Sequence, residues 1–390
     1  MRYVRRGIED EVRRATRAFP AMLVTGPRRS GKTTLLKHLF PNASYFLLED
    51  PDIVARVRED PRGFLDDLRT PVVLDEIQNA PELLAYIRTR IDSAPKLKGQ
   101  WLLTGSQEAP LMRGVPESMA GRVALFHLLP LSLAESARVS LFRGGFPEIV
   151  ERPRTAATWF RSYIQTYLER DVRAVTSIRD LATFRRFMAL VASRCGQMLN
   201  RSDLAAPLGV SVPTISQWLS ILEITGQILL VPPFYENFGK RLVKSPKLYF
   251  VDSGLACHLL GIDSERALDR SPFLGPIFEG FVASEVVKLQ LARGEARNLY
   301  YFRDQQGLEV DFLVPGGDRR LLLLEAKASR TVLPAAAQVL GRLRRAIEGY
   351  EVESWVVHRQ SAQGEAMSTL APGVRTQVVE HLREIFAARR

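Results

Sequence analysis

The feature that most restricts the fold of this chain is the run Gly26-Pro27-Arg28-Arg29-Ser30-Gly31-Lys32-Thr33, placed directly behind the apolar stretch Ala21-Met22-Leu23-Val24. Leu35, Leu36 and Leu39 follow with helical spacing, so the run sits between a strand and a helix. A phosphate-binding loop needs that context. Gly26 and Gly31 let backbone N–H groups curl around phosphate oxygens, and a helix starting near Lys32 aims the positive end of its dipole at the same anions. The expected ligand is a nucleoside triphosphate, held from Gly26 through Thr34. Lys32 would reach the terminal phosphates, and Thr33 would offer a hydroxyl to Mg²⁺.

The segments that follow alternate between strand-like and helix-like, as in a parallel sheet with crossover helices. Tyr45-Phe46-Leu47-Leu48 and Pro71-Val72-Val73-Leu74 read as buried strands, and the second ends in Asp75-Glu76. Open α/β sheets place ligands at the carboxyl ends of their strands. Asp75 is therefore the candidate metal carboxylate and Glu76 the candidate base for the attacking water; the plain alternative is a carboxylate pair capping the next helix. A third strand, Gln100 to Ser106, ends in Thr104 and Ser106, either of which could touch the terminal phosphate. Arg122 and, second to it, Arg113 are candidates for the cation that phosphoryl transfer draws from a neighbouring subunit, set against ordinary surface solvation.

Taken in order, Gly26 to Thr33, Val72 to Gln78, Leu103 to Ser106, Ala120 to Arg122, Pro130 to Glu135 and Gly144 to Glu148 resemble the bacterial and archaeal AAA-type ATPases that carry a C-terminal domain of unknown function. The resemblance covers nearly the whole chain. It implies an AAA-type core with Lys32, Asp75 and Glu76 in the roles above and a glycine-proline turn at Gly145 and Pro147 near the adenine. A homo-oligomer, with a hexamer as one ring size, follows if Arg122 acts on a neighbour. The family usually has glutamine where this chain has Arg29.

Beyond the core, helical spacing at Phe184, Phe187, Met188 and Val191, a second helix from Arg201, a turn at Gly209, and a third helix carrying Ile215, Trp218, Leu219 and Leu222 make helix-turn-helix grammar. Ile228 to Val231 and Lys247 to Val251 read as the two strands of a wing. Thr214, Gln217 and Ser220 fall on the exposed face of the third helix, and Lys240, Arg241, Lys244 and Lys247 form a cationic cluster. Residues 181–252 hold eight Lys or Arg against four Asp or Glu. A winged helix touching DNA phosphates without reading sequence fits this pattern, since base-reading arginines are missing from the third helix. The competing use is a packing module or lid.

Glu279 and Glu285 lie on a helix near Phe278 to Leu291, ahead of a three-strand meander that carries Asp311 and then Glu325-Ala326-Lys327. This order resembles the restriction-endonuclease-like nucleases. On that resemblance Glu285, Asp311, Glu325 and Lys327 form a possible second metal site; the alternatives are a domain without cleavage or a surface pair.

The expected fold is thus α/β: an AAA-type P-loop parallel sheet over residues 1–140, a helical linker or lid over 141–180, a winged helix over 181–255, and a small restriction-endonuclease-like α/β domain over 270–390. At 390 residues the chain is long enough for two or three domains. Its formal charge of +11 is compatible with a polyanionic partner. No stretch approaches the roughly 18 apolar residues needed to cross a bilayer, and Met1 to Arg6 lacks a signal-peptide core, so a cytoplasmic protein without a membrane partner is expected. Cys195 and Cys257 stand far apart with no metal-ligand spacing. The function these readings converge on is a Mg-dependent ATPase acting on DNA. An ATP-driven switch read by a protein partner and an ATP-regulated nuclease are the alternatives.

Overall fold

Short runs of β-branched and aliphatic residues flanked by turns form most of the strands in the computed structural model, which describes residues 3–105, 119–168, 181–234, 245–360 and 367–387. The chain divides into two compact units. The first comprises Met1–Leu131 with the short segments Ile224–Gly226 and Leu291–Glu295, and the second comprises Ser132–Glu223, Gln227–Gln290 and Ala296–Arg390.

The first unit is built on β1 (Ala21–Thr25), β2 (Ser44–Leu47), β3 (Val72–Asp75), β4 (Trp101–Thr104) and β5 (Val123–His127). All four pairings are parallel, in the order β2-β3-β4-β1-β5. Every residue of β1, β3 and β4 is buried, the mark of a parallel sheet covered on both faces. Helices α1 (Glu9–Ala18), α2 (Lys32–Leu39), α3 (Pro51–Glu59), α4 (Pro61–Asp66) and α5 (Leu83–Ser93) supply the cover. Asp50 and Asp60 cap α3 and α4, with proline in each first turn. The two apolar layers separate cleanly: Leu35, Leu36 and Leu39 pack with Ile8 and Val12, while Leu83, Leu84 and Ile87 pack with Phe64 and Val72.

The second unit opens with α6 (Pro147–Glu151) and α7 (Ala156–Tyr163), followed by α8 (Leu181–Ser193), α9 (Arg201–Ala205) and α10 (Val212–Ile224). Asn200 caps α9, and the Ser211 hydroxyl accepts the Thr214 N–H at the start of α10. The antiparallel pair β6 (Ile228–Val231) and β7 (Lys247–Phe250) closes this module. Phe184, Phe187, Met188 and Val191 of α8 pack with Ile215, Trp218, Leu219 and Leu222 of α10.

Helices α11 (Ser253–Leu259) and α12 (Glu265–Asp269) lead to the long α13 (Leu274–Ala292). The antiparallel meander β8 (Tyr300–Arg303), β9 (Glu309–Pro315) and β10 (Arg320–Lys327) follows. Next come α14 (Ala336–Ala346), then β11 (Glu351–His358) parallel to β10, then β12 (Met367–Ala371), β13 (Val374–Val378) and α15 (Leu382–Ala387). The six strands make one mixed sheet, β12-β13-β11-β10-β9-β8. The chain is therefore a five-stranded parallel sheet with flanking helices, followed by a further C-terminal α/β domain. Cys195 and Cys257 are free and buried, and burial pushes both thiols up to about 12. Among the described residues, no helix is long and apolar enough to cross a membrane.

Candidate functional site

Three loops leave the carboxyl ends of three neighbouring strands, β3, β4 and β1, and their side chains meet. Gly26 begins the loop after β1 with φ 138°, and a Cβ there would fall 2.2 Å from the Leu128 carbonyl oxygen, so only glycine passes. Gly31, at φ 99°, precedes α2 without a side-chain cap, which leaves the first N–H groups of the helix directed at the loop. Lys32 is 5% exposed, and its Nζ donates to the Gly26 and Pro27 carbonyls at 3.0 Å each. The buried Ser30 hydroxyl has no hydrogen-bond partner. Arg28 pairs with Glu49 at 3.1 Å, Arg29 adopts φ 64° at the exposed outer turn, and Thr34 is exposed.

Asp75 ends β3 and is 3% exposed. Its carboxylate accepts from Thr33 Oγ1 at 2.8 and 3.0 Å, from the Tyr45 hydroxyl at 2.7 Å, and from Thr104 Oγ1. Burial first, then the hydrogen bond and charge of Asp75, push the Tyr45 phenol far up, so it stays a donor. Thr104 also accepts the Glu76 N–H at 3.1 Å, so one hydroxyl fixes both acidic residues. Glu76 stands in the left-handed region (φ 61°, ψ 51°), a costly conformation for a residue with a Cβ, and its carboxylate accepts from the Gln78 amide. The hard-oxygen set of Thr33 and Asp75 fits a Mg²⁺ ion, and the glycine cradle with its orphaned Ser30 hydroxyl fits phosphate.

Two of these partners had no signal in the local pattern. Arg6, 6% exposed, donates to the Ser30 carbonyl at 2.8 Å and to the Leu129 carbonyl at 2.7 Å, bracing the loop from a distant arginine-rich stretch. Tyr45 reads from sequence only as part of a buried strand.

Arg122 is not brought to the loop of its own chain. Its carbonyl accepts the Ala21 N–H at the amino edge of the sheet, while the phosphate loop leaves the carboxyl edge of β1. The five-residue strand between spans roughly 15 Å. Its guanidinium grips Asp92 at 2.6 and 3.1 Å. Ser106 and Arg113 lie outside the described residues. Gly145 and Pro147 belong to the second unit, where the Gly145 N–H donates to Asp252 at 2.7 Å and Pro147 opens α6.

The acidic constellation of the C-terminal domain differs from the expected one in two respects. Glu285 is not a member. It accepts the Leu133 N–H at 2.8 Å and Lys288 Nζ at 2.9 Å, and Glu279 takes its place near Asp311, sharing the Lys247 ammonium with Glu309. Six residues of helix rotate by about 600°, so Glu279 and Glu285 cannot share a face. Lys247, which the sequence groups with the cations of the wing, is 3% exposed. Its ammonium lies 2.8 Å from Glu279, 2.6 Å from Glu309 and 3.7 Å from Asp311. Asp311, Glu325 and Lys327 do come together: the Ala326 N–H donates to Asp311 at 2.9 Å, and Lys327 donates to Glu325 at 2.6 Å. Burial and the neighbouring Asp311 charge push Glu279 up to about 7 and Glu325 up to about 8. Burial pulls the Lys247 ammonium down, but Glu279, Asp311 and Glu309 outweigh it and leave its pKa above the ordinary value.

Comparison with known proteins fits this architecture. An AAA domain model matches residues 18–137, and two domains of unknown function, DUF8612 and DUF4143, match residues 134–266 and 274–371. Over 318 residues the chain is 36% identical to the uncharacterized protein Rv2008c of Mycobacterium tuberculosis and to the uncharacterized protein Mb2031c of Mycobacterium bovis, covering 80% of this chain and 71% of each relative. The chain belongs to the family of these two proteins. Its first unit carries an AAA-type, P-loop ATPase domain. Among solved structures it is similar to the Walker-type ATPase PABY2304 of Pyrococcus abyssi, at 16% identity and a TM-score of 0.45, over 64% of this chain and 94% of the other.

Proposed function

We propose that the protein is a Mg-dependent ATPase that couples hydrolysis to action on DNA. One observation carries the hydrolytic half: Thr33, Asp75, Thr104 and Glu76 are joined in a single hydrogen-bonded set at the ends of adjacent parallel strands, next to the glycine loop. In this reading Gly26 to Thr34 bind the phosphates, Lys32 neutralises them, and Thr33 and Asp75 would hold Mg²⁺, which would supply further positive charge against the phosphates. Glu76 takes the proton of the attacking water, and its left-handed backbone, pinned by Thr104, aims the carboxylate. Arg122 acts on a neighbouring copy, because within its own chain it sits at the opposite edge of the sheet; release from Asp92 accompanies that role.

The DNA half rests on α8, α9, α10 and the β6–β7 pair, read as a winged helix. Thr214 is tied to Ser211 at 2.8 Å, and Ser220 bonds back to the Ser216 carbonyl at 2.9 Å, which leaves Gln217 as the free polar tip of that face. Such a surface suits phosphate contact without base reading. Lys240, Arg241 and Lys244 lie outside the described residues. A second reading, an ATP-driven switch sensed by a protein partner, draws support from the inward-turned Lys247, since β6 and β7 present no exposed Lys or Arg among the described residues.

ATP turnover measured against duplex, single-stranded and branched DNA at several salt concentrations separates the two. Stimulation that fades steeply with salt is expected. If no DNA form changes turnover or migrates with the protein, the DNA reading fails and the switch stands.

A further inference from the structure

A restriction-endonuclease-like domain implies a divalent metal held by the carboxylates of β9 and β10. The residues of this chain do not fit one. We infer that Lys247 is the resident cation of this cluster, so that the C-terminal domain is a non-cleaving module whose carboxylates are satisfied from within the chain. The inference is independent of how the first unit handles ATP.

Three kinds of observation carry it. The first is position: the Lys247 ammonium lies within 3.7 Å of three carboxylates, and its side chain is 3% exposed, with Nζ 5.6 Å from the centre of the Tyr301 ring. It projects from β7, whose backbone is held by β6 and by a bridge between Lys247 and Met198, so the ammonium is delivered by a fixed strand and not by a loose loop.

The second is the state of the carboxylate oxygens. The Glu279 oxygen that meets Lys247 also accepts from the buried Tyr249 hydroxyl. Glu309 Oε2 accepts from Arg303 at 2.9 Å, Asp311 Oδ2 from the Ala326 N–H at 2.9 Å, and Glu325 Oε1 from Lys327 at 2.6 Å. A hard divalent ion needs several unshielded oxygens converging at about 2.1 Å. Here those oxygens are turned toward N–H and O–H donors, and among the described residues no group of three or more His, Cys, Asp or Glu side chains is arranged to hold a metal ion.

The third is charge. Glu279, Glu309, Asp311 and Glu325 face Lys247, Lys327 and Arg303, so the cluster is already close to neutral. A dication entering it would meet two ammonium groups at contact distance. An ammonium presents three donors and fits this pocket by hydrogen bonding, which a bare ion cannot do without expelling it.

The test is a Mn²⁺ titration of the full, nucleotide-free chain by calorimetry, after chelator treatment, on wild type, Asp311→Asn and Lys247→Met. Wild type and Asp311→Asn are expected to bind Mn²⁺ alike, because Asp311 holds none. Lys247→Met is expected to gain a site at least about tenfold tighter than wild type shows, and Asp311→Asn in that background removes it. A wild-type site that weakens tenfold or more in Asp311→Asn overturns the inference, as does a folded Lys247→Met that gains nothing. Should Lys247→Met fail to fold, the comparison of wild type with Asp311→Asn decides alone.

Discussion

Replacing Lys32 by methionine, which keeps the length of the side chain and deletes its charge, should weaken two properties that one titration can separate. Without nucleotide, the ammonium donates to the Gly26 and Pro27 carbonyls at 3.0 Å each. Hydrogen bonds from charged donors contribute about 1.5–3 kcal/mol apiece. Against that stands relief from burying an ammonium that is 5% exposed, which offsets part of the gain and leaves a net loss of roughly 1–2 kcal/mol. At about 3 °C per kcal/mol for a unit of this size, the melting temperature of the first unit should fall by roughly 3–6 °C. The second loss is larger. Removing the ammonium at the helix start should cost about 3–4 kcal/mol against the phosphates, or roughly 10²–10³-fold in Kd. Differential scanning fluorimetry reads both. Wild type held at ATP one hundred times its Kd gains about 2.7 kcal/mol, and the variant at the same concentration should gain almost nothing. Fluorescent-ATP titration well below the lower melting temperature provides the affinity directly. If Lys32→Met binds ATP within about threefold of wild type, the phosphate-loop assignment is wrong whatever its melting temperature.

Glu76→Gln should retain ATP affinity and lower turnover by about 10²–10⁴-fold, the range attributed to a positioned general base; near-normal turnover would mean another group takes the proton. Gly26→Ala should destabilise the first unit by roughly 2–5 kcal/mol in a urea melt, because its Cβ would sit 2.2 Å from the Leu128 oxygen at φ 138°. In mixing experiments, Arg122→Ala subunits combined with Lys32→Ala subunits should regain turnover if the arginine serves a neighbour's site, and no recovery argues against the trans role. The raised Glu279 and Glu325 fix the sign of a pH dependence: between about 4.5 and 8 the folded chain holds protons that the unfolded chain has released, so these two groups lower stability as pH rises. Melting temperatures from pH 5 to 8.5 should therefore decline less in Glu325→Gln than in wild type, and parallel profiles would refute the assignment.

What could be read in the sequence was what the backbone places locally. A loop closed by two glycines, a strand ending in Asp75-Glu76, and apolar strands of four or five residues each follow from short-range rules, and the strand order then puts Thr104 between them. Tyr45 and Arg6 act across 30 and 24 residues of chain, and nothing in their neighbours marks them. The pair β12 and β13 is hard to read because apolar and polar groups share its buried positions: Val374 and Val378 are buried, but so are Thr376, which bonds Ser368 at 2.8 Å, and Gln377. A buried Gln377 between Thr376 and Val378 blurs the apolar alternation that strand reading depends on.

Lys247 shows the same limit from the side of chemistry. A lysine that opens the run Lys247-Leu248-Tyr249-Phe250, downstream of Lys240, Arg241 and Lys244, reads as a solvated wing cation, since lysine is rarely fully buried unless paired. Its partners Glu279, Glu309 and Asp311 come from a helix and a strand that begin 27 or more residues later, and only the fold brings them within reach. Helical period excludes Glu279 and Glu285 acting together, and the contacts of the folded chain select Glu279. The two glutamates stand about 120° from sharing a face, so at most one of them can meet β9. Motif order therefore limits which carboxylates could meet, while the burial of one ammonium determines what that meeting can hold. A site of this kind is distinguished from a hydrolytic one by its donors and not by its acids.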